Sequence, residues 1–170
     1  MDALAFKDLI IPYQDKLFRF ALGILSNKEE AKDVVQDIIL KLWERKDSIN
    51  KIESVEAWMM KSIRNRCIDL IRSKGRNTED IEKADQIDCN AYHPGDLAES
   101  NDLAIHVRSV INQLPKSYKH VILLRDIEGY SYEEISEILE LSLSQVKVTI
   151  HRARKKVKEG LEKINIHGNI

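Results

Sequence analysis

The sequence predicts an all-α protein of two small helical modules joined by an acidic linker, with a helix-turn-helix in the second module. Six glycines and three prolines in 170 residues favour long regular elements. Apolar residues recur at helical spacing on both sides of residues 76–101, which have no such periodicity. Residues 77–105 hold eight acidic residues and one basic residue, so this stretch is an acidic linker. We therefore expect modules over residues 1–75 and 102–170.

The first module opens with two predicted helices. Apolar side chains at three- and four-residue steps indicate a helix over residues 4–25, with Pro12 at its start or at a kink. Asn27, followed three residues later by Glu30, is an N-cap signal for a second helix that runs to about Ser48. We expect the two helices to pack antiparallel in a bundle.

A third helix is predicted over residues 53–74, and it has two different faces. One face is apolar and includes Cys67, which we expect to be a small buried hydrophobe. Another face, an arc of roughly 80°, carries polar and cationic residues beside an aromatic ring. Its members are Trp58, Lys61, Asn65, Asp69 and Arg72. This composition suits unstacked bases on a cationic surface; alternatively, Trp58 packs under the first helix and the charges are only solvated.

The second module is predicted to contain four helices. The first covers residues 102–114, and Pro115 ends it and opens the next helix. Gly129 is a C′ glycine that ends this second helix. Ser131 and Ser142 then begin two capping boxes, with Glu134 and Gln145 as their third helical residues. Two short helices joined by a tight turn follow, which is a helix-turn-helix.

Charge divides sharply between these last two helices. Residues 131–141 hold four Glu and no Lys or Arg, whereas residues 142–158 hold six Lys/Arg and no Asp or Glu. The acidic helix is thus suited to packing against the basic helix and supporting it, and the basic helix to entering the major groove among phosphates. The candidate DNA-contacting residues are Ser144, Gln145, Lys147, Val148, Thr149, His151, Arg152 and Lys155. The alternative is a solvated basic helix at the end of a helical domain.

Several classes of protein are excluded by what the sequence lacks. It has no apolar run of eighteen residues and no signal-peptide pattern, so we expect a cytoplasmic chain without membrane insertion. Cys67 and Cys89 form neither a disulfide framework nor a zinc site. No nucleophile elbow, phosphate loop or metal cluster is present, so we expect neither an enzyme nor a cofactor or metal. Residues 160–170 are predicted to be a helix end and a frayed tail.

The order of several motifs resembles one family. They are Asp33-Val-Val-Gln-Asp-Ile-Ile-Leu-Lys-Leu-Trp43, Ala57-Trp-Met-Met-Lys-Ser-Ile-Arg-Asn65 with Asp69 and Arg72, Leu114-Pro-Lys-Ser-Tyr118, Glu128-Gly-Tyr-Ser-Tyr-Glu-Glu-Ile135 and His151-Arg-Ala-Arg154. In this order and spacing, over about residues 5–160, the chain closely resembles the extracytoplasmic-function (ECF) sigma factors of bacteria.

The resemblance implies a promoter-recognition subunit of RNA polymerase. In the family, the second helix binds core polymerase, and the matching residues here are Asp33, Gln36, Asp37 and Trp43. The third helix meets the melted minus-ten element: Asn65 matches a position that helps to hold a flipped-out base. Candidates for the non-template backbone are Lys61, Arg64, Arg66 and Arg72. The helix-turn-helix would read the minus-thirty-five element as duplex. The family usually has an inhibitory partner, an anti-sigma factor, often membrane-bound.

The chain departs from the family pattern at one place in the helix-turn-helix. Val148-Thr149 stands where many members have a Ser-Arg pair, so the family's base preference does not carry over to this chain. A different reading is a stand-alone helix-turn-helix regulator that binds duplex operators as a dimer through the second module. That alternative leaves the basic stretch over residues 58–76 unexplained.

Overall fold

The computed structural model of the protein describes residues 2–77 and 102–167. The regular structure of these residues is helical. Side chains are described for residues 2–75 and 103–164. The predicted linker, with Cys89, lies outside the described residues except for its first two positions, which continue the third helix. The helices are α1 Ala3–Leu25, α2 Lys28–Glu44, α3 Val55–Asn77, α4 Asp102–Asn112, α5 Lys116–Ile122, α6 Tyr132–Leu139 and α7 Leu143–His167.

The chain divides into two compact units, called unit 1 (α1 to α3) and unit 2 (α4 to α7). In unit 1 each of the three helices packs against the other two. In unit 2, α7 is the central helix and contacts α4, α5 and α6. Among the described helices, none is both long enough and apolar enough to cross a membrane.

Side-chain caps set the starts of the helices in unit 1. Asp2 Oδ1 accepts from the Ala5 N–H at 2.8 Å, and Asn27 Oδ1 accepts from the Glu30 N–H at 3.1 Å, as the sequence predicts for α2. Ser54 Oγ accepts from the Ala57 N–H at 3.1 Å. α1 continues through Pro12 instead of starting there.

The second helix ends earlier than predicted. α2 stops at Glu44, and a 3-10 helix over Lys46–Lys51 replaces the expected continuation to Ser48. The backbone N–H of Ser48 donates to the Arg45 carbonyl at 2.9 Å, and the Ser48 hydroxyl donates to the same oxygen at 3.1 Å. Bonds to the residue three positions back are those of a 3-10 helix, and the Ser48 hydroxyl adds a second bond to the same carbonyl.

The core of unit 1 is apolar where α3 meets α1 and α2. Met59, Ile63 and Cys67 are fully buried, as are Leu17 of α1 and Leu42 of α2. Burial raises the pKa of the Cys67 thiol to about 12, so the neutral thiol persists at neutral pH. Cys67 is therefore a small core residue, and this prediction is confirmed.

The helices that open unit 2 differ in detail from the prediction. α4 ends at Asn112 instead of residue 114, and Leu103 near its start is 59% exposed. Pro115 is the N-cap of α5 and not its first helical residue. α5 continues as a π-helical segment, Leu123–Ile127, before Gly129 ends it with φ +81°. The C′ glycine is thus confirmed, since the left-handed region favours glycine.

The core of unit 2 includes two polar side chains, Lys119 and His120 of α5. Lys119 is 9% exposed, and burial lowers the pKa of its amine to about 8, because a charged ammonium is poorly solvated there. Both residues directly precede the fully buried Val121 in the sequence. In the described part of unit 1, by contrast, no Lys, Arg, Asp, Glu or His is buried.

The last helix is longer than predicted, because α7 continues through Gly160 to His167. Gly160 is not a helix end. A Cβ atom added there would lie 2.6 Å from Cγ1 of Val110 in α4, closer than real Cβ contacts. Glycine at this position therefore allows α4 and α7 to approach, and that contact supports the helix beyond the predicted boundary.

Candidate nucleic-acid interface

The turn between α6 and α7 is held by two capping boxes. The Ser131 N–H donates to Glu134 Oε2 at 2.7 Å, and the Glu134 N–H donates to Ser131 Oγ at 3.2 Å. The Ser142 N–H donates to Gln145 Oε1 at 2.8 Å, and the Gln145 N–H donates to Ser142 Oγ at 3.2 Å. Glu140 ends α6 in the left-handed region, with φ +57°. Both predicted boxes are confirmed, and they fix where α7 begins.

α7 buries one stripe and exposes the rest of its first half. The apolar stripe that its sequence period predicts is Val146, Ile150, Ala153 and Val157. The first three are buried and Val157 is half-buried. Thr149 is half-buried, and its hydroxyl donates to the Gln145 carbonyl at 2.7 Å. The exposed candidates are Ser144, Gln145, Lys147, Val148, His151, Arg152 and Lys155. The predicted DNA-contacting residues thus lie together on the outer side of one helix.

The cations of α7 are not equivalent. Lys147, Arg152 and Lys155 make no ion pair with any described side chain, so they are available to phosphate. Lys156 pairs with Glu159 and Lys158 with Glu162, both on α7 itself. Arg154 is paired with Asp126 of the π-helical segment, at 3.2 Å from Nε to Oδ2 and 2.5 Å from Nη2 to Oδ1. The hydrogen bonds to Asp126 raise the pKa of Arg154 further. Arg154 therefore anchors α7 to the segment before the helix-turn-helix.

A second arginine fastens the same segment to the start of α6. Arg125 Nη1 donates to the Tyr130 carbonyl at 2.7 Å, and its guanidinium carbon lies 4.9 Å from the Tyr132 ring centroid. The sequence reasoning missed both arginine contacts. The spacing of 28 residues between Asp126 and Arg154 gives no local signal, so only the packed structure reveals that pair.

On α3, the predicted polar arc lies on the outer side of unit 1. Asn65, Asp69 and Arg72 are exposed, whereas Trp58 and Lys61 are half-buried. Trp58 is partly packed but keeps accessible surface. The guanidinium carbon of Arg45, which sequence reasoning did not single out, lies 5.8 Å from the Trp58 ring centroid. A cation over an aromatic ring can support or compete with stacking of a base there.

Arg64 lies next to the Asn65 amide. Arg64 Nη1 donates to Asn65 Oδ1 at 3.3 Å. Arg64 Nε is buried and has no hydrogen-bond partner among the described residues. The contact uses the carbonyl end of the Asn65 amide and leaves its NH₂ group as a donor.

Ion pairs tie α3 to its neighbours. Arg66 Nη2 lies 3.4 Å from Asp37 Oδ2 of α2, and Lys74 pairs with Glu30 of the same helix. Arg66, a candidate for the DNA backbone, is thus paired with Asp37, a candidate for polymerase binding. The two predicted surfaces of unit 1 meet at this ion pair, which the sequence did not reveal.

α2 presents an exposed stripe beside that ion pair. Asp33, Gln36 and Asp37 are exposed, and Leu40, one turn further along, is 57% exposed. Sequence reasoning missed Leu40, although its position off the apolar stripe of α2 was a usable signal. Trp43 differs from the other three candidates. It is half-buried, packs edge-on to Phe6 at a centroid distance of 5.0 Å, and has Lys46 Nζ 4.1 Å from its ring centroid.

Comparison with known proteins identifies the same two halves. The family profile described as Sigma-70 region 2 matches residues 9–77, and that of Sigma-70, region 4 matches residues 106–157. The ECF RNA polymerase sigma factor SigW of Bacillus subtilis is 30% identical over 94% of this chain and 90% of the relative. The ECF RNA polymerase sigma-E factor of Haemophilus influenzae is 28% identical over 95% of this chain and 89% of the relative.

A solved structure shows a similar fold. The sigma factor RpoE from Bartonella quintana, in complex with the anti-sigma factor NepR, aligns with a TM-score of 0.76 at 26% identity. The alignment covers 93% of this chain and 97% of that one. The resemblance of the sequence motifs therefore extends to the fold and to nearly the full length of the chain.

Proposed function

Because the chain belongs to the ECF RNA polymerase sigma factors, we propose that it binds core RNA polymerase, directs it to promoters and supports promoter opening and transcription initiation. The observation that carries the proposal is the presence in one chain of two sigma-70 regions, each with an exposed helical face bearing cations. The sigma-factor family is generally non-enzymatic, and this chain is proposed to act by binding alone. Its place of action is the cytoplasm, where core polymerase works.

The polymerase-binding surface is proposed to be the exposed stripe of α2. Asp33, Gln36 and Asp37 supply charge and hydrogen bonds, and Leu40 supplies an apolar anchor among them. An apolar side chain surrounded by polar ones has the composition of an interface core with its rim. Trp43 contributes from its packed position against Phe6 by shaping the end of this stripe.

The minus-ten surface is proposed to be the outer face of α3. Asn65 would bind a flipped-out base through its NH₂ group, because Arg64 bonds the carbonyl end of the same amide. Trp58 supplies aromatic surface, and Lys61, Arg64, Arg66 and Arg72 supply charge for the non-template backbone. Asp69 lies on the same exposed face. Unpairing a base costs a few kcal/mol, so such contacts are needed to keep the promoter open.

The minus-thirty-five surface is proposed to be the exposed first half of α7. A helix that enters the major groove reads base edges with its N-terminal residues, here Ser144, Gln145 and Val148. Lys147, Arg152 and Lys155 would contact phosphates, which give affinity but no sequence information. Thr149 and His151 complete this surface.

An anti-sigma factor is proposed as a regulatory partner. A relative with the same fold over nearly its whole length, RpoE from Bartonella quintana, is seen in complex with the anti-sigma factor NepR. The promoters that a sigma factor recognises stay inactive while the sigma factor is kept away from core polymerase. A partner that covers the polymerase-binding surface would have this effect.

In-vitro transcription tests the proposed function. The full-length chain is mixed with core polymerase on a random promoter library, and the start sites are sequenced. We expect defined start sites that depend on the chain, and Asn65→Ala should reduce open-complex formation while core binding stays unchanged. Failure to direct core polymerase to any start site would overturn the proposal.

A footprinting experiment without polymerase tests the alternative, a stand-alone regulator. Such a protein would protect duplex DNA from cleavage without polymerase and would need unit 2 alone. The matches to both sigma-70 regions favour the sigma factor, because they cover both units of the chain.

A further inference from the structure

The capping box at the start of α7 fixes the orientation of the Gln145 side-chain amide. The Ser142 backbone N–H lies 2.8 Å from Gln145 Oε1. A backbone N–H can only donate, so the amide atom that it meets must be the oxygen; the hydrogen-bond network thereby decides an assignment that is often ambiguous. The amide oxygen is turned to the backbone, and the NH₂ group is the end left for another partner.

A second hydrogen bond fixes the polarity of Thr149, one turn further along α7. Thr149 Oγ1 lies 2.7 Å from the Gln145 backbone carbonyl. A carbonyl oxygen only accepts, so the single hydroxyl hydrogen of Thr149 is used inside the helix. What remains of this hydroxyl is acceptor capacity. Between these two positions in the sequence, Val148 is 48% exposed and offers apolar surface.

From these bonds we infer that α7 presents a fixed hydrogen-bonding pattern to the minus-thirty-five element: a donor at Gln145, an apolar contact at Val148 and an acceptor at Thr149. The inference rests on the proposed function and specifies its DNA sequence class. This hydrogen-bonding pattern would set the base preference in place of the family's Ser-Arg pair, which is absent here.

Base chemistry translates this pattern into preferences. Guanine offers two acceptors, N7 and O6, in the major groove and suits the Gln145 NH₂ donor. Adenine is bound bidentately by glutamine only if the amide oxygen also faces the base, and in this chain Oε1 faces the Ser142 N–H. Val148 suits a thymine methyl, and the Thr149 acceptor suits an exocyclic amino group, on cytosine N4 or adenine N6. Gln145 thus favours guanine, which offers two acceptors, over adenine and thymine, which offer one each.

The decisive substitution is Gln145→Glu. Glutamate is also favoured as the third residue of a capping box, so it can accept the Ser142 N–H as Gln145 does. The other end of the side chain changes from a donor to an acceptor. We expect the guanine preference at one base pair to be lost and replaced by cytosine or adenine, with a change in relative use of roughly tenfold. Other positions of the element should be unaffected.

The experiment uses full-length protein, core polymerase and a promoter selected by that holoenzyme, with its minus-thirty-five region randomised. Transcripts are sequenced, and each base is scored relative to the others, so that a general loss of affinity cancels. Lys155→Gln is the matched control, because it also lowers the net charge by one. It should weaken all templates alike. Gln145→Ala should erase the guanine preference without creating another.

The acceptor at Thr149 is tested in the same library. Thr149→Val removes the hydroxyl and should erase the preference for an amino-bearing base, whereas Thr149→Ser should retain it. The inference is overturned if Gln145→Glu leaves the base profile unchanged, or if the position that depends on Gln145 is adenine in the wild-type profile. A wild-type protein that yields no transcript at all would instead overturn the proposed function.

Discussion

Unit 1 and unit 2 each expose a basic helix, but they hold their cations in different ways. On α3, Arg66 and Lys74 are paired with acids of α2. On α7, Lys147, Arg152 and Lys155 have no ion pair within the described part of the chain. A count of Lys and Arg along the sequence therefore overstates the charge that either helix offers to a ligand, because Arg154, Lys156 and Lys158 of α7 are paired as well. Pairing in the folded state decides how much of a helix's charge reaches a ligand.

The cores of the two units also differ in whether they contain polar side chains. Among described residues, unit 1 buries no charged side chain, whereas unit 2 buries Lys119 and His120. Unit 1 thus keeps its charged side chains out of the core, whereas unit 2 carries a lysine and a histidine inside. The difference predicts opposite pH dependences in the alkaline range: the stability of unit 2 rises with pH because the pKa of Lys119 is lowered, and that of unit 1 falls above about pH 9 because the pKa of Cys67 is raised.

Removal of the buried amine should produce the largest effect. The pKa of Lys119 falls from 10.5 to about 8 on folding, so below pH 8 the folded state pays to hold a buried charge. In the wild type, the stability of unit 2 should rise between pH 8 and about 10.4, because the unfolded state binds more protons there. Lys119→Met should raise the free energy of unfolding at pH 7 by about 2 kcal/mol, and the gain should vanish near pH 10.

Urea unfolding measures the change in the free energy of unfolding separately for each unit. Trp43 and Trp58 are the two tryptophans of the chain and both belong to unit 1, so tryptophan fluorescence follows unit 1 and far-ultraviolet circular dichroism follows both. Lys119→Met should leave the fluorescence transition in place. An equal gain at pH 7 and pH 10 would contradict the assignment to a buried charge.

A charge reversal on α2 should have the next largest effect. Asp37→Lys removes the partner of Arg66 and puts a cation into the proposed polymerase-binding stripe. We expect about tenfold weaker binding to core polymerase, measured by pull-down or fluorescence titration. The fold should persist, because an exposed ion pair contributes at most about 1 kcal/mol. Asp15→Lys, the same charge change at an exposed position of α1, should bind normally. Undiminished binding by Asp37→Lys would exclude this face.

Two glycines give a matched pair of substitutions, one in each unit. Gly160→Ala should destabilise unit 2 by about 1 kcal/mol, because the clash with Val110 exceeds the gain in helix propensity. At Gly75 in α3, an added Cβ meets nothing within 4 Å, so Gly75→Ala should stabilise unit 1 by up to about 1 kcal/mol. The urea transitions described above report each change, and shifts of the same sign would show that Gly160 does not govern packing.

Substitution of two arginines of α7 should have the smallest effects of the series. The two variants should differ clearly in the salt dependence of promoter binding. Arg152→Ala should lower the dependence of promoter binding on salt by about one in the log–log slope, because one phosphate contact is lost. Arg154→Ala should leave that slope unchanged, since Asp126 already holds Arg154. Fluorescence polarisation of holoenzyme on duplex promoter DNA at several salt concentrations measures both slopes. Equal slopes for the two variants would refute the division of roles.

The sequence predicted those features that depend on neighbours within one turn. The N-cap at Asn27, both capping boxes and the C′ glycine at Gly129 were readable because capping is a local event. The buried stripe of α7 followed from its period. Propensity alone also suggested that α7 would end near Gly160, and this was wrong because a tertiary contact with Val110 selects glycine there.

The candidate sites were predictable only as faces of helices. The exposure of Asn65, Asp69 and Arg72 followed from helical spacing. The ion pairs of Arg66 and Arg154 did not, because their partners lie 29 and 28 residues away in the sequence. Such pairs require knowledge of how the helices pack. The roles of the site residues in binding DNA and polymerase stay predictions until the variants are measured.

The close approach of α7 to Val110 at Gly160 lies far from the end of α7 that is proposed to contact bases. Fifteen residues separate Gly160 from Gln145, or about 22 Å at 1.5 Å per residue. A tilt of about 9° at this contact would displace Gln145 by about 3.4 Å, the spacing of one base-pair step. A side chain at position 160 that tilted α7 away from Val110 would therefore move the proposed base-contacting residues by a distance comparable to one base-pair step.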